Sequence, residues 1–216
     1  MQPFLTRLKE YLEGDETEIF LRMKMWAQNE LEPQVNLVNK PGYETALFLV
    51  THGFVQTFME KVYDLKGPSA THEFLRRFID GAKKKDKFSH ISGDIHEMRN
   101  VMAHQLYSSK THDIALDFTI ATGWDTISGR LHVNPKIYGD RFRDAIDGGR
   151  LTTWRKYINR IALTRQKYRF ITAWLGLHKT DTLRQQIETL VALPNLTAIR
   201  KVEKPLRKAF RARYGV

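Results

Sequence analysis

One stretch of the chain, from Phe88 to Tyr107, restricts the possible fold more than any other segment. Its apolar residues recur four, three, four and four positions apart, which places all of them on one side of a helix. These residues are Ile91, Ile95, Met98, Met102 and Leu106. The other side carries polar groups of several kinds around one small residue, namely His96, Arg99, Asn100, Ala103, His104 and Tyr107. The sequence therefore predicts a helix over 88–107 that packs one face on a core and presents a chemically varied second face.

The polar face contains the run Arg-Asn-Val-Met-Ala-His at residues 99–104. This run resembles the signature of the HEPN superfamily, in which an Arg followed by a polar residue precedes a His on one helix. The resemblance covers residues 1–110 at most, and it implies a small domain made of helices. It also implies a metal-independent ribonuclease that acts as a toxin or in antiviral defence, with Arg99, Asn100 and His104 as catalytic residues. His96 and Tyr107 share the face but lie outside the signature, so we expect them to be second-tier site residues.

The residue types on this face suit RNA cleavage. RNA carries its own nucleophile, the 2′-hydroxyl, so the reaction needs a base, an acid and positive charge at the phosphate. Histidine titrates at about pH 6.5 and can transfer the protons, and arginine presents a fixed cation to phosphate. Arg99 and His104 are five positions apart, so their directions diverge by about 140° and their Cα atoms lie ~7.5 Å apart along the axis. We therefore predict a homodimer through the 88–107 helix, which is also what the resemblance implies.

The charge of the chain is unevenly distributed. Residues 141–216 hold 18 Lys and Arg against 5 Asp and Glu, whereas residues 1–140 hold 17 against 19. This excess favours a polyanionic partner, with nucleic acid first and an anionic membrane a distant second, although a basic solubilising surface is the alternative. The cations expected to contact RNA precede the central helix or lie on a later one: Lys83, Lys84, Lys85, Lys87, Arg155, Arg165 and Arg169. The basic tail from Ile199 to Tyr214 either binds polyanions or frays unless it is tied down.

Other kinds of chemistry find little support. The chain has no Cys, which excludes thiol catalysis, disulfides and Cys-based zinc sites. His96 and His104 are ~12 Å apart along a helix, too far to share one ion. His90, Asp94 and Glu97 have no recognisable ligand spacing. We therefore predict neither a metal nor a cofactor, and we interpret His52 as a satisfied or solvent-facing residue.

The fold class expected from the patterns and the resemblance together is mainly α. An antiparallel helical bundle of HEPN type over 1–113 contains the catalytic helix at 88–110, and a small β-hairpin insertion follows over 114–133. In that hairpin, residues 114–120 alternate as one strand and 130–133 form the return strand. A basic helical C-terminal region over 134–216 packs on the same core. We also expect a connector over 33–42 and one long helix over 151–177.

The location and the partners complete these expectations. No apolar run reaches the roughly 20 residues of a membrane span, and the first residues lack a signal peptide, so we expect a cytoplasmic protein without a membrane partner. An antitoxin or another regulatory protein is a further partner that the resemblance implies. Two alternatives to the ribonuclease stay open: a non-catalytic HEPN-like dimer that binds nucleic acid or a partner, and a helical structural protein.

Overall fold

The computed structural model describes residues 2–81, 85–105, 114–147 and 158–216, and this part of the chain is mainly helical, which confirms the predicted fold class. The elements before the sheet are α1 (Gln2–Glu13), α2 (Glu16–Trp26), a π-helix (Ala27–Leu31), α3 (Glu32–Val38), α4 (Glu44–Tyr63), α5 (Gly67–Phe74), a second π-helix (Leu75–Ile79), a 3₁₀ helix (Phe88–Ile91) and α6 (Ser92–Gln105). The elements that follow are β1 (Ile114–Leu116), β2 (Trp124–Ile127), β3 (Arg130–Val133), α7 (Pro135–Asp147), α8 (Arg160–Trp174), α9 (Thr182–Ala192) and α10 (Leu196–Tyr214).

The chain forms two compact units. The terminal unit consists of Met1–Met23, Lys61–Tyr63 and Ile158–Val216, and the central unit consists of Lys24–Glu60 and Asp64–Tyr157. The domain boundaries expected from the sequence stay predictions. Among the described residues, no helix has the length and apolar content that a membrane span requires.

The central unit is built around aromatic side chains from several helices. Phe54 of α4 meets the rings of Phe74 and Phe142 edge-on, at centroid distances of 6.1 and 5.8 Å. From the 3₁₀ helix, Phe88 meets Tyr138 of α7 edge-on at 5.2 Å. Pairs of this kind contribute beyond the area that they bury. They fix α4, α5 and α7 around the segment that leads into α6.

The predicted apolar side of the central helix lies in this core as far as the structure describes it. Ile91, Ile95 and Met98 are buried, and Met102 is half-buried. Leu106 lies outside the described residues. Asp80 fixes the start of this segment, because its carboxylate accepts hydrogen bonds from the backbone N–H groups of Phe88 and Ser89 at 2.8 and 3.0 Å.

The small sheet corrects the predicted hairpin. Strand β1 covers only Ile114–Leu116 and pairs with β3 in parallel, whereas β2 is the antiparallel partner of β3. The physical reason is the two-residue turn at Ser128 and Gly129, whose φ angles of 52° and 78° are both positive. Such a type I′ turn matches the twist of a two-stranded ribbon, so the hairpin closes between Ile127 and Arg130.

The sheet is attached to the entry of α6 through Asp86. Its carboxylate accepts a hydrogen bond from the backbone N–H of Gly123 and forms an ion pair with Arg141 of α7 at 2.6 Å. A Cβ at Gly123 would lie 2.7 Å from the ring of Phe88 and 2.9 Å from the Asp86 carboxylate. Glycine at position 123 therefore allows the sheet to approach the segment that begins α6.

Two further sequence expectations were wrong. The connector over 33–42 is helical as far as Val38, because α3 continues without a break from the segment Ala27–Leu31, whose last residue already has helical backbone angles. The long helix over 151–177 does not continue through Asn159. The side chain of Asn159 instead caps α8 by accepting from the Ala162 backbone N–H at 3.1 Å, and residues 151–157 lie outside the described part.

The terminal unit has its own core. Leu8 and Leu12 of α1 pack with Tyr168 and Ile171 of α8, together with buried residues of α9 and α10. Lys167 of α8 lies beneath this helix packing and is 3% exposed. Its ammonium donates to the carbonyl of Gly14 at 3.0 Å and lies 3.2 Å from the Glu203 carboxylate of α10. This buried contact ties α8 and α10 to the residue that follows α1.

Candidate functional site

The polar face of α6 lies against side chains from α4 and α5 in the central unit. The imidazole of His96 is 5.2 Å from that of His52, measured between ring centroids. The Nδ1 atom of His96 is 3.2 Å from the Thr71 hydroxyl, which also accepts a hydrogen bond from the Gln56 amide at 2.9 Å. We call His52, Gln56, Thr71, His96 and Arg99 the histidine cluster, since the charge of Arg99 acts on both imidazoles.

The Gln56 amide holds α4 against α5 beside the His52 ring. The Gln56 amide nitrogen donates to the Gly67 carbonyl at 3.1 Å, which fixes the orientation of the carboxamide. The same nitrogen faces Nε2 of His52 at 3.3 Å. The amide nitrogen has two hydrogens, and its two nearer acceptors, the Gly67 carbonyl and the Thr71 hydroxyl, take them, so this side chain joins α4 to α5 beside the His52 ring.

Two buried nitrogen atoms of the cluster have no hydrogen-bond partner in the described structure. Among the described residues, neither Nδ1 of His52 nor Nε of Arg99 has a hydrogen-bond partner. Arg99 donates to the side-chain oxygen of Asn100 at 2.8 Å, and in the described part of the chain no carboxylate forms an ion pair with it. Buried polar groups are normally paired. A cation with free donors and no carboxylate is suited to an anionic group that comes from outside the chain.

Both described imidazoles of the cluster are neutral at pH 7. Burial, and secondarily the charges of Arg99 and His96, lowers the pKa of His52 to about 3. Burial and the charge of Arg99 also lower the pKa of His96. The side chain of His52 is 0% exposed, so it packs against His96 without access to a ligand. His96 and Arg99 are half-buried and within reach of a ligand. A neutral imidazole beside a guanidinium can accept a proton next to a bound phosphate.

The structure places the predicted site residues as follows. Arg99, Asn100 and His96 come together at the histidine cluster, and Ala103 is exposed on the same helix. His104 belongs to the last turn of α6, and its side chain lies outside the described part, as do all atoms of Tyr107. The convergence of His104 with Arg99 and the homodimer therefore stay predictions.

The predicted RNA-contacting cations are dispersed. Lys85 is exposed and Lys87 is half-buried at the entry to α6, whereas Lys83, Lys84 and Arg155 lie outside the described residues. Arg165 of α8 donates to the Leu193 carbonyl at 2.7 Å, so this guanidinium has a structural partner. Arg169 is exposed on α8 in the terminal unit. The described residues hold no group of three His, Asp or Glu arranged for a metal ion.

Sequence reasoning missed the part of the cluster that comes from other helices. His52 and Gln56 are four positions apart and therefore share one face of α4. That spacing indicates that the two side chains can act together, but it does not reveal that Thr71 of α5 connects them to His96. The interpretation of His52 is corrected in one respect: the ring is buried and does not face solvent.

We found no match to this chain among protein-family models, curated proteins or solved structures.

Acid should destabilise the protein through His52. Its pKa is lower in the folded chain, so between about pH 6.5 and pH 3 the unfolded chain binds a proton that the folded chain does not. The contribution of His52 to the free energy of unfolding is complete above about pH 6.5. Below that pH, and down to about pH 3, it falls by about 1.4 kcal/mol per pH unit. We expect the difference in unfolding free energy between wild type and His52→Gln to shrink by about 2 kcal/mol from pH 6 to pH 4.5.

Urea denaturation at a series of pH values measures this difference. Thr51→Val, at a buried neighbour that does not titrate, is the matched control and should give a difference that is constant with pH. A constant difference for His52→Gln would contradict the burial of a neutral imidazole at this position.

Proposed function

We propose that the polar face of α6 is the active site of a metal-independent endoribonuclease of the HEPN type. The observation that carries the proposal is Arg99, a half-buried cation without a carboxylate partner in the described structure, beside the neutral imidazole of His96. This pairing supplies a phosphate-binding charge and a proton acceptor in one place.

The chemistry follows from the residues of the face. An imidazole takes the proton of the 2′-hydroxyl, the 2′-oxygen attacks phosphorus, and the bond from phosphorus to the 5′-oxygen breaks. The 5′-oxygen then receives a proton, which leaves a 2′,3′-cyclic phosphate and a 5′-hydroxyl. Arg99 stabilises the negative charge that builds on the phosphoryl oxygens. His104, by the resemblance, and His96, by its place in the cluster, are the two imidazoles for the proton transfers.

A second copy of the chain completes the site in this proposal. Arg99 and His104 are five positions apart, a spacing that corresponds to about 140° around an ideal helix, so a partner helix related by two-fold symmetry would supply the missing group. The exposed Ala103 allows the two helices to approach closely. The proposed biological role is that of a toxin or phage-defence effector, and an antitoxin or other regulatory protein would control it.

Cleavage of labelled RNA by the purified protein in EDTA tests the proposal. We expect fragments with 2′,3′-cyclic phosphate ends from the wild type and at least about 10²-fold slower cleavage by His104→Ala. His90→Ala, which changes an exposed histidine ahead of α6, is the matched control and should cut normally. If His104→Ala cuts as fast as the wild type, the active site has been assigned wrongly. Binding of RNA without cleavage would favour the non-catalytic alternative.

A further inference from the structure

Helix α10 has two opposed faces. Its apolar residues Ile199, Leu206 and Phe210 are buried in the core of the terminal unit. At about 100° per residue, five of its seven cations lie on the other side within a sector of roughly 100° that extends ~16 Å along the helix. They are Arg200, Lys201, Lys204, Lys208 and Arg211, all exposed. We call these five residues the basic face. The tail that the sequence left open is therefore a helix tied down by its apolar side.

The basic face keeps most of its charge available. Among the described residues, Arg200, Lys201, Lys204 and Lys208 form no ion pair, and Arg211 pairs only with Glu13, whose side chain is about half exposed. Glu203 is the single acid of α10. Its carboxylate points inward to Lys167 at 3.2 Å and to Arg207 at 2.7 Å. No carboxylate of the helix is left to neutralise the outer cations.

The chemistry of the face distinguishes between polyanions. A helix that lies in a membrane surface inserts its apolar side among the lipids, but the apolar side of α10 is occupied by the protein core. Single-stranded nucleic acid is usually held by exposed aromatic rings that stack on bases, and the basic face has none. A face that offers only cations contacts phosphate groups, and these groups carry no sequence information directly.

We infer that the basic face of α10 is a sequence-independent docking surface for the phosphate backbone of double-stranded nucleic acid. It belongs to the terminal unit and uses none of the residues of the histidine cluster. The inference goes beyond the proposed ribonuclease, because docking requires no catalysis.

Salt-dependent binding tests the inference. Fluorescence anisotropy measures the affinity of the full chain, made inactive by Arg99→Ala, for two unrelated 20-base-pair RNA duplexes between 50 and 300 mM KCl. A fourfold variant with Arg200→Gln, Lys201→Gln, Lys204→Gln and Lys208→Gln should bind both duplexes more weakly to the same extent. The slope of log affinity against log salt should fall in magnitude by about 3, since each phosphate contact contributes about 0.7–0.9.

A matched variant controls for net charge. Arg7→Gln, Lys9→Gln, Arg160→Gln and Lys179→Gln remove four exposed cations of the same unit that do not belong to the basic face, and the slope should stay near that of the parent. Equal effects of the two fourfold variants on the salt slope would overturn the inference. A loss of affinity that differs between the two duplexes would also overturn it, and so would binding to phosphatidylserine vesicles without binding to RNA. Thermal melting of each variant verifies that it is folded.

The two proposals can fail separately. If the slope of log affinity against log salt is smaller in the fourfold α10 variant and the wild type does not cleave RNA, docking is supported and the ribonuclease is rejected. Cleavage by a wild type whose α10 variant binds unchanged would support the ribonuclease and reject docking through the basic face.

Discussion

Arg99→Ala should slow RNA cleavage by about 10²–10³-fold, the usual effect of removing one donor that stabilises a developing negative charge. The folded state should change little. The guanidinium is half-buried, donates to Asn100 within the chain, and forms no ion pair in the described structure. Its removal also relieves a buried Nε–H that has no partner in that part of the chain. We expect the unfolding free energy of the variant to stay within about 1 kcal/mol of the wild type.

Single-turnover cleavage assays and urea denaturation measure the two quantities on the same preparations. Arg99→Lys retains the charge but loses the planar fork, so its activity should lie between those of the wild type and the alanine variant. The matched control is Arg143→Ala, which removes a half-buried guanidinium of the same unit that is 3.7 Å from Asp140. Cleavage by Arg99→Ala at the wild-type rate would remove the observation on which the proposed function depends.

Glu203→Ala should lower the free energy of unfolding by about 3–5 kcal/mol, because it leaves the ammonium of Lys167 buried without its carboxylate. The same carboxylate accepts from the Tyr168 hydroxyl at 2.9 Å and from Arg207 at 2.7 Å, so three donors lose one acceptor. In a chain of this size, 1 kcal/mol corresponds to about 2–4 °C in melting temperature. The variant should therefore melt roughly 6–20 °C lower.

Calorimetry or circular dichroism measures this loss, and Glu188→Ala is the matched control. Glu188 pairs with Arg184 on the surface with its side chain 58% exposed, so its removal should cost less than about 1 kcal/mol. The double variant Lys167→Met with Glu203→Gln removes the buried charge together with its partner and should recover at least half of the lost stability. Equal melting temperatures for Glu203→Ala and Glu188→Ala would show that the buried ion pair is not essential to the terminal unit.

Local patterns in the sequence predicted the mainly helical fold and the apolar side of α6. The spacing of Ile91, Ile95 and Met98 reports directly which side of a helix is buried, and these residues are in the core. The pairing of the strands was harder to predict from the sequence. The alternation after Ile114 was visible, but the partner of β3 depends on the turn at Ser128 and Gly129, a feature of two residues only.

Only the part of the candidate site that lies on α6 could be predicted from the sequence. Arg99, Asn100 and His96 follow from the polar face of α6. The contribution of His52, Gln56 and Thr71 depends on how α4 and α5 pack beside α6, and no spacing within one segment encodes that contact. The interruption at Asn159 was missed because the apolar pattern continues on both sides of a cap that one side chain forms.

The terminal unit is assembled from the two ends of the chain, and this has a consequence during synthesis on the ribosome. Helix α1 is translated first, but its buried Leu8 and Leu12 pack with residues that follow Ile158. At 5–20 residues per second, the segment between Met23 and Ile158 takes about 7–27 s to translate. For that time the apolar side of α1 has no native partners from the C-terminal helices. A stop codon between α6 and α10 would release a protein that lacks part of this core and retains Arg99 and His104.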